Sequence, residues 1–499
     1  MALGISLSVA LVPLQGVAHV TDEVVYTLQA KLFAEGMRVG PAAENSSMLY
    51  YPFWVTEPVS YAAFPPGWPA VLSIGETVGL IWAVNPILSA TIPVLIYGIA
   101  KEWTDPRTAR LAAMISALSP AIWLLGASRM SHTSVLVALA SATLVILRKR
   151  DGPQYWFAAG ASIAYVVLAR PYDAFLLGIP LLYWGLIRAT DVRSKVILVL
   201  PVMTATILLA FDNQTLTGEW HTFPIRRWAE TWYVNQPNCD RIGIGSEFGC
   251  LGTPHTWQNA ASLTWDSIQR LDRSLIGFRG GLALALVGLV LLKQRVPWVL
   301  LVLVVGGYAL YWSPGAAYGA RFYHPVMLVL PIGFATLCLQ VRDRWIAQSP
   351  DWMIASLMMF CALAGGSRYL PDLASGYWCV DSAVSEMIEE ANINEGIIMV
   401  YGHGTRTEDW TSFDIEGFTC NDMLGSGSAL QLTNPTSERH GLQVRQTFDN
   451  PEDRALWLEQ EHPNAEAWLY QFDLRTGERS WNAAEKEDDP QEPIEPSMR

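Results

Sequence analysis

The sequence predicts a polytopic α-helical membrane protein of about eleven transmembrane helices, with a small α+β domain at its C-terminal end. Three observations predict it. Of the 499 residues, 51% are hydrophobic and only 16% are charged, whereas a soluble chain carries about a quarter charged residues. Apolar runs recur near 3–19, 85–100, 109–127, 133–147, 154–169, 174–187, 196–211, 280–292, 297–312, 325–340 and 353–366, several of them short of the about 20 residues that a helical crossing takes. The charge is also partitioned. Residues 367–499 hold 26 Asp+Glu against 9 Lys+Arg, which leaves the preceding 366 residues at net +4.

Taken in order, the breaks between the runs set a topology. Basic breaks fall at Lys101–Arg110, Arg148–Arg150, Arg188–Lys195, Lys293–Arg295 and Arg342–Arg344, holding 13 of the 33 Lys+Arg. Positive loops stay on the cytoplasmic side. Each break is separated from the next by a hairpin of two apolar runs. The scheme closes with the N-terminus inside, the acidic C-terminal domain outside, and Gly67–Ile81 failing to cross, as an interfacial or re-entrant helix. The first run contains Pro13 and Gly16 and has no basic flank. Read as a signal peptide, it lacks a charged leading region and a small-residue cleavage site; a start codon further upstream is a second reading.

This topology leaves three external pieces: 20–84, 212–278 and 367–499. Residues 1–366 therefore form a transmembrane domain that includes the first two. Residues 367–482 form a soluble domain, mixing helix-like stretches (Ser382–Ala391, Pro451–Glu461) with strand-like ones (Ile397–Tyr401, Ala467–Phe472). Residues 483–499, acidic and proline-rich, read as a disordered tail. Cys239 and Cys250 share one external piece and Cys379 and Cys420 another, so an oxidising exterior allows a disulfide in each. Cys338 and Cys361 lie in apolar runs as ordinary core residues.

Ionisable residues in or beside membrane spans are costly and are functional candidates by default. Asp22 and Glu23 follow the first run, with Tyr26 one helical turn on. Arg129 and His132 sit in the turn between the third and fourth. Arg170 and Asp173 lie between the fifth and sixth, and Arg321 and His324 precede the tenth. All fall at external ends in the topology drawn from loop charges alone. Together they line an outward-facing cavity holding carboxylates and guanidinium groups, and arginine there suits a phosphate headgroup, whose oxygens its planar fork meets in pairs. Taken singly, each arginine is also explained by snorkelling to the headgroups.

Other chemistries are poorly served. There is no GxxxxGK[ST], no HExxH and no clustered Cys/His spacing. No basic patch suits a polynucleotide, so nucleic acid is not a partner. Ser131 and His132 are adjacent and so point apart on a helix, which excludes them as a nucleophile pair. A lipid or solute transporter is the rival reading; it predicts inverted repeats and broken helices at mid-membrane, and no such repeat is visible. A catalytically inactive assembly subunit of a glycosylation complex is the third.

Several stretches carry a resemblance, in order: TDEVVYTLQAKLFAEG (21–36), YPFW (51–54), FPPGWPAVLSIGETVGLIWAVNPILSA (64–90), SRMSHTS (128–134), ARPYDAFLLGIP (169–180), DNQTLTGEWHTFP (212–224), DRIGIGSEFG (240–249) and YGARFYHPVMLVLP (318–331). In order and spacing the chain resembles the GT-C membrane glycosyltransferases that use polyprenyl-phosphate sugars, the relatives of protein O-mannosyltransferases and lipid A aminoarabinose transferases. The resemblance implies an inverting transfer of a sugar, often mannose, from a polyprenyl- or dolichyl-phosphate donor. The acceptor, a glycan, lipid or protein, stands on the extracytoplasmic face. It implies that Asp22 activates or orients the acceptor, with Glu23 in support. Arg321 is the first choice for the donor phosphate, with Arg170 and Arg129 as further choices. Tyr26, His132, Asp173, Asp240 and Tyr323 are expected in the substrate pocket. A divalent cation is compatible with the acidic pair, although no octahedral oxygen set can be read.

Overall fold

The computed structural model describes residues 1–42, 51–149, 152–232, 241–250, 253–313, 315–345, 351–374, 377–402, 413–415, 418–420, 425–436, 441–446, 451–462, 465–472 and 479–483. The chain divides into two compact units. Met1–Ala10, Ala63–Trp68 and Trp82–Leu370 form a helical unit; Leu11–Ala62, Pro69–Ile81 and Pro371–Arg499 form the other.

In the helical unit every apolar run from residue 85 onward contains helix. The starts are written in the sequence. Asp105 accepts from the backbone N–H of Arg107 and Thr108 ahead of Pro106–Leu118, and Asp191 does the same for Ser194 ahead of Val192–Thr217. A short side-chain oxygen at this position satisfies N–H groups that the helix itself leaves unbonded. Two helices are long and apolar enough to cross a membrane, Ile81–Trp103 and Val192–Thr217, or up to five if each of three bent pairs counts as one crossing. The described helices thus do not by themselves carry a count of eleven.

The reason is that prolines and glycines divide the apolar runs. The run 109–127 breaks ahead of Pro120 with a bend of 47°. Gly277 and Gly280, at φ 81° and 93°, stand where Trp257–Ile276 turns 82° into Gly281–Leu292. Pro325 lies inside the 3-10 segment Arg321–Leu328, which turns 51° into Leu330–Trp345. The first run departs furthest from expectation. Its helix spans only Ala2–Leu11 and stops short of residue 19, since Pro13 cannot continue it and Gly16 takes a left-handed φ of 70°.

Val192–Thr217 shows what surrounds this unit. Val196, Leu200, Met203, Ile207 and Phe211 follow one another at helical spacing and are each more than half exposed, an apolar stripe that suits lipid and not water. Its other face packs backbone to backbone: a Cβ on Gly160 would run into the Leu198 carbonyl oxygen. Gly288 meets the Gly333 carbonyl oxygen even more tightly, so Gly281–Leu292 and Leu330–Trp345 also touch through glycine. Small residues at helix crossings are the usual basis of packing inside lipid.

The second unit is α+β. Ala467–Phe472 and Leu442–Gln446 pair in parallel with Gly396–Gly402 between them, and Arg479–Ala483 adds antiparallel to the outer side of Ala467–Phe472. Ile397, Met399, Ala467 and Leu469 form a core with Leu458 of the helix Pro451–Glu461. Ile398 and Val400 are buried as well, as expected of a parallel strand covered on both faces. The strand-like and helix-like stretches predicted for this region form as such, to within a residue or two at each end.

The unit also takes most of the first external piece, which the sequence reading assigned to the transmembrane domain. The Gln431 amide exchanges two hydrogen bonds with the Ala18 backbone, at 2.8 and 3.2 Å, while Lys31 Nζ donates to the carbonyls of Gln431 and Thr433. Gly67–Ile81 forms a helix only over Gly67–Thr77, 11 residues, about half the length of a crossing. Cys379 is disulfide-bonded, and Cys338 and Cys361 are free. Cys239 and the tail beyond Ala483 lie outside the described residues.

Candidate functional site

The acidic step opens the helix Thr21–Ala34. Val20 at its N-cap has no side-chain oxygen, and Glu23 takes over the capping. Glu23 Oε2 accepts from the backbone N–H of Val20 at 2.9 Å and of His19 at 3.1 Å. A carboxylate is favoured there because the first turn of a helix presents unbonded N–H groups and a positive dipole end. Glu23 is thereby buried and committed to the backbone. Asp22, beside it on the same turn, stays half-buried, and Tyr26 is buried one turn on. The Tyr51 hydroxyl is buried without a hydrogen-bond partner. Burial first, and then the charges of Asp22 and Glu23, push it far above the usual tyrosine range, so it remains a protonated donor near the acidic pair.

The helical unit carries a separate, cationic cluster. The turn 128–131 is held by Asn85, whose amide donates to the carbonyls of Ser128 and Met130, each at 2.7 Å, and by Trp68 Nε1, which donates to the Arg129 carbonyl at 2.7 Å. Arg170 stands where the helix ending at Ala169 gives way to Pro171. It pairs with Asp173, donates to the Tyr308 hydroxyl at 3.0 Å and reaches Ser131 Oγ at 3.4 Å. Tyr308 in turn donates to Asp173 Oδ1 at 2.7 Å. A π-helical turn, Ala174–Gly178, follows directly, a feature often found at functional sites.

Arg321 completes the cluster. Its guanidinium lies 5.2 Å from the centre of the Phe322 ring, and that of Arg170 lies 5.6 Å from the same ring. Phe322 stacks on Tyr308 at 5.0 Å and lies 6.0 Å from the His132 ring. His132 is 4% exposed, and neither of its ring nitrogens has a hydrogen-bond partner. A buried imidazole left without a partner is costly. Among cations, an anion's oxygen would accept from the ring N–H. The named side chains set two guanidinium groups, Arg170 and Arg321, over one ring, with the carboxylate of Asp173 on Arg170 and with Arg129 buried in the adjoining turn. That arrangement suits a phosphate.

Six expected site residues, Arg129, His132, Arg170, Asp173, Arg321 and Tyr323, thus fall in the helical unit. Tyr323 lines a hollow with Thr264, Ser267, Tyr308, Tyr311 and Phe322. Asp22, Glu23 and Tyr26 fall in the other unit, and Asp240 lies outside the described residues. The sequence reading missed Tyr308, Phe322, Asn85 and Tyr51. An amide at the head of one apolar run and a phenol within another were the signals for Asn85 and Tyr308. No group of three or more His, Cys, Asp or Glu side chains that could hold a metal ion occurs among the described residues.

Residues 70–212 match the family described as dolichyl-phosphate-mannose-protein mannosyltransferase. No curated protein matches the sequence. Among solved structures, the chain is similar to ArnT from Cupriavidus metallidurans. The TM-score is 0.51 to the apo crystal structure and 0.56 to the one bound to undecaprenyl phosphate, each at 12% identity over 94% of this chain and 91% of that chain. The likeness shows a shared fold, the GT-C fold.

Proposed function

From a chain with the GT-C fold, matching the dolichyl-phosphate-mannose-protein mannosyltransferase family over residues 70–212, we infer a membrane glycosyltransferase that draws its sugar from a polyprenyl- or dolichyl-phosphate donor. The observation that carries this reading is the set of guanidinium groups around the unpartnered His132 in an apolar helical unit. A lipid phosphate supplies both the anion that such a cluster takes and the apolar tail that such a unit tolerates. The similar ArnT structure, which holds undecaprenyl phosphate, supports the same class of donor.

The chemistry assigns the residues opposite tasks. Asp22 takes the proton of an acceptor hydroxyl as its oxygen attacks the anomeric carbon. The bond from that carbon to the phosphate oxygen breaks with inversion, and the lipid phosphate leaves with the electron pair. Arg321, with Arg170 and Arg129, stabilises the charge that develops on it. Glu23 holds the start of the helix on which Asp22 rides. The basic breaks between apolar runs support eleven crossings with transfer on the extracytoplasmic face, and residues 367–482 as a domain on that side.

The test is donor consumption. Reconstituted protein given radiolabelled dolichyl-phosphate mannose and a mixed acceptor fraction releases lipid phosphate if it is an enzyme, whereas a carrier moves the lipid unchanged. Asp22→Asn should abolish release at unchanged protein level; full activity in that variant would sink the role assigned to Asp22.

A further inference from the structure

The chain between the helix ending at Leu11 and the one starting at Thr21 runs through turns and bends, yet it sets the direction of the first turn that carries Asp22. His19, 2% exposed, lies in it. Its Nδ1 is 2.8 Å from the carbonyl oxygen of Tyr377 and its Nε2 is 3.0 Å from that of Leu14. A carbonyl oxygen only accepts. A neutral imidazole has one N–H and one lone pair, so it can bond one of these oxygens but must oppose the other. Both contacts are satisfied only when both nitrogens carry protons.

We propose that His19 is a positioning residue, held as an imidazolium that clamps the Leu14 and Tyr377 carbonyls and so fixes the helix start bearing Asp22. A carboxylate meets the same turn through its backbone: the His19 backbone N–H donates to Glu23 Oε2, and the same oxygen accepts from Val20. Among the described residues, the titratable and charged groups near this turn include Glu23 and Asp22 on the helix, Tyr51 beside them, Tyr377, whose ring lies 6.2 Å from that of His19, and Asp381, next to the Ser382 backbone N–H that donates to Gln15. His19, Glu23 and the Gln431–Ala18 pair thus anchor one short turn from three directions. Loss of one proton from His19 turns one of its two bonds into a repulsion. The clamp is therefore present at low pH and lost as pH rises through the deprotonation of His19.

The proposal deepens the reading of Asp22 as the base and rests on it for its effect on turnover, though not for the protonation state. His19–Val20 is the sole His–Val pair in the sequence. Labelling histidine with carbon-13 and nitrogen-15, and valine with nitrogen-15, therefore isolates His19 by NMR in the full wild-type chain in nanodiscs. Both ring nitrogens should show protonated shifts at neutral pH and convert to a single neutral form as pH is raised. Transfer from dolichyl-phosphate mannose should fall about tenfold per pH unit above that conversion, with KM for the donor unchanged. His19→Gln, whose amide offers two N–H bonds and does not titrate, should lose this alkaline limb and keep a lower, flat rate. A singly protonated ring at neutral pH overturns the proposal whatever the activity, and so does an unchanged limb in His19→Gln. A doubly protonated ring together with full activity in Asp22→Asn leaves the clamp standing and removes the reading of Asp22.

Discussion

Asp22 and Glu23 are neighbours of the same charge, and the structure gives them different work. Glu23 closes the helix start through two backbone N–H bonds, while Asp22 keeps partial access to solvent. The pair was legible in the sequence; the division of labour was not, because it depends on which carboxylate meets the N–H groups at the helix start. Glu23→Gln, which keeps an acceptor oxygen, should retain the helix and most of the activity. Glu23→Ala should destabilise the unit by about 0.5–2 kcal/mol, read as a lower thermal midpoint in detergent. On the cationic side, Arg321→Gln should lower turnover by about 10²–10³, the usual cost of losing one donor to a developing anion. Tyr308→Phe removes a hydroxyl that joins Arg170 to Asp173 and should cost about 1 kcal/mol, seen as a several-fold weaker donor KM.

Among the elements, the helix starts at Asp105 and Asp191 and the secondary structure of the C-terminal region follow the sequence closely, since caps and alternation are local signals. The breaks inside apolar runs were harder to weigh. Proline, glycine and hydropathy are all visible, but whether they bend a crossing or end it depends on what fills the gap. Asn85 shows the point. A single amide joins the helix Val84–Trp103 to the turn that carries Arg129 and His132. Asn85→Ala strands two buried carbonyls at about 1–3 kcal/mol; it should lower the thermal midpoint and raise donor KM without touching Asp22. Gly288→Leu should be worse, because the side chain would enter the Gly333 backbone, and the purified variant should aggregate or unfold early when followed by size-exclusion chromatography.

At the scale of the molecule, the C-terminal residues and the N-terminal acidic helix share one compact unit. A chain truncated after Gly366 keeps the residues of the cationic cluster but loses Gln431, Thr433 and Tyr377, which hold Ala18, Lys31 and His19. It should therefore lose donor consumption, with the acidic helix becoming sensitive to limited proteolysis. Composition, hydropathy and the placement of charge by themselves determined that the chain is helical and membrane-embedded, with an acidic α+β region at its end and a set of arginines near span ends. These properties depend on how each residue partitions between water and lipid, which needs no knowledge of its neighbours. Only the tertiary structure decided that the acidic helix packs with the C-terminal residues, that Glu23 caps while Asp22 does not, and that Arg170 and Arg321 share the Phe322 ring. The first and the last of these are contacts between segments far apart in the chain, made by side chains whose partners no local pattern names, and the cap turns on which of two neighbouring carboxylates the backbone brings to its N–H groups.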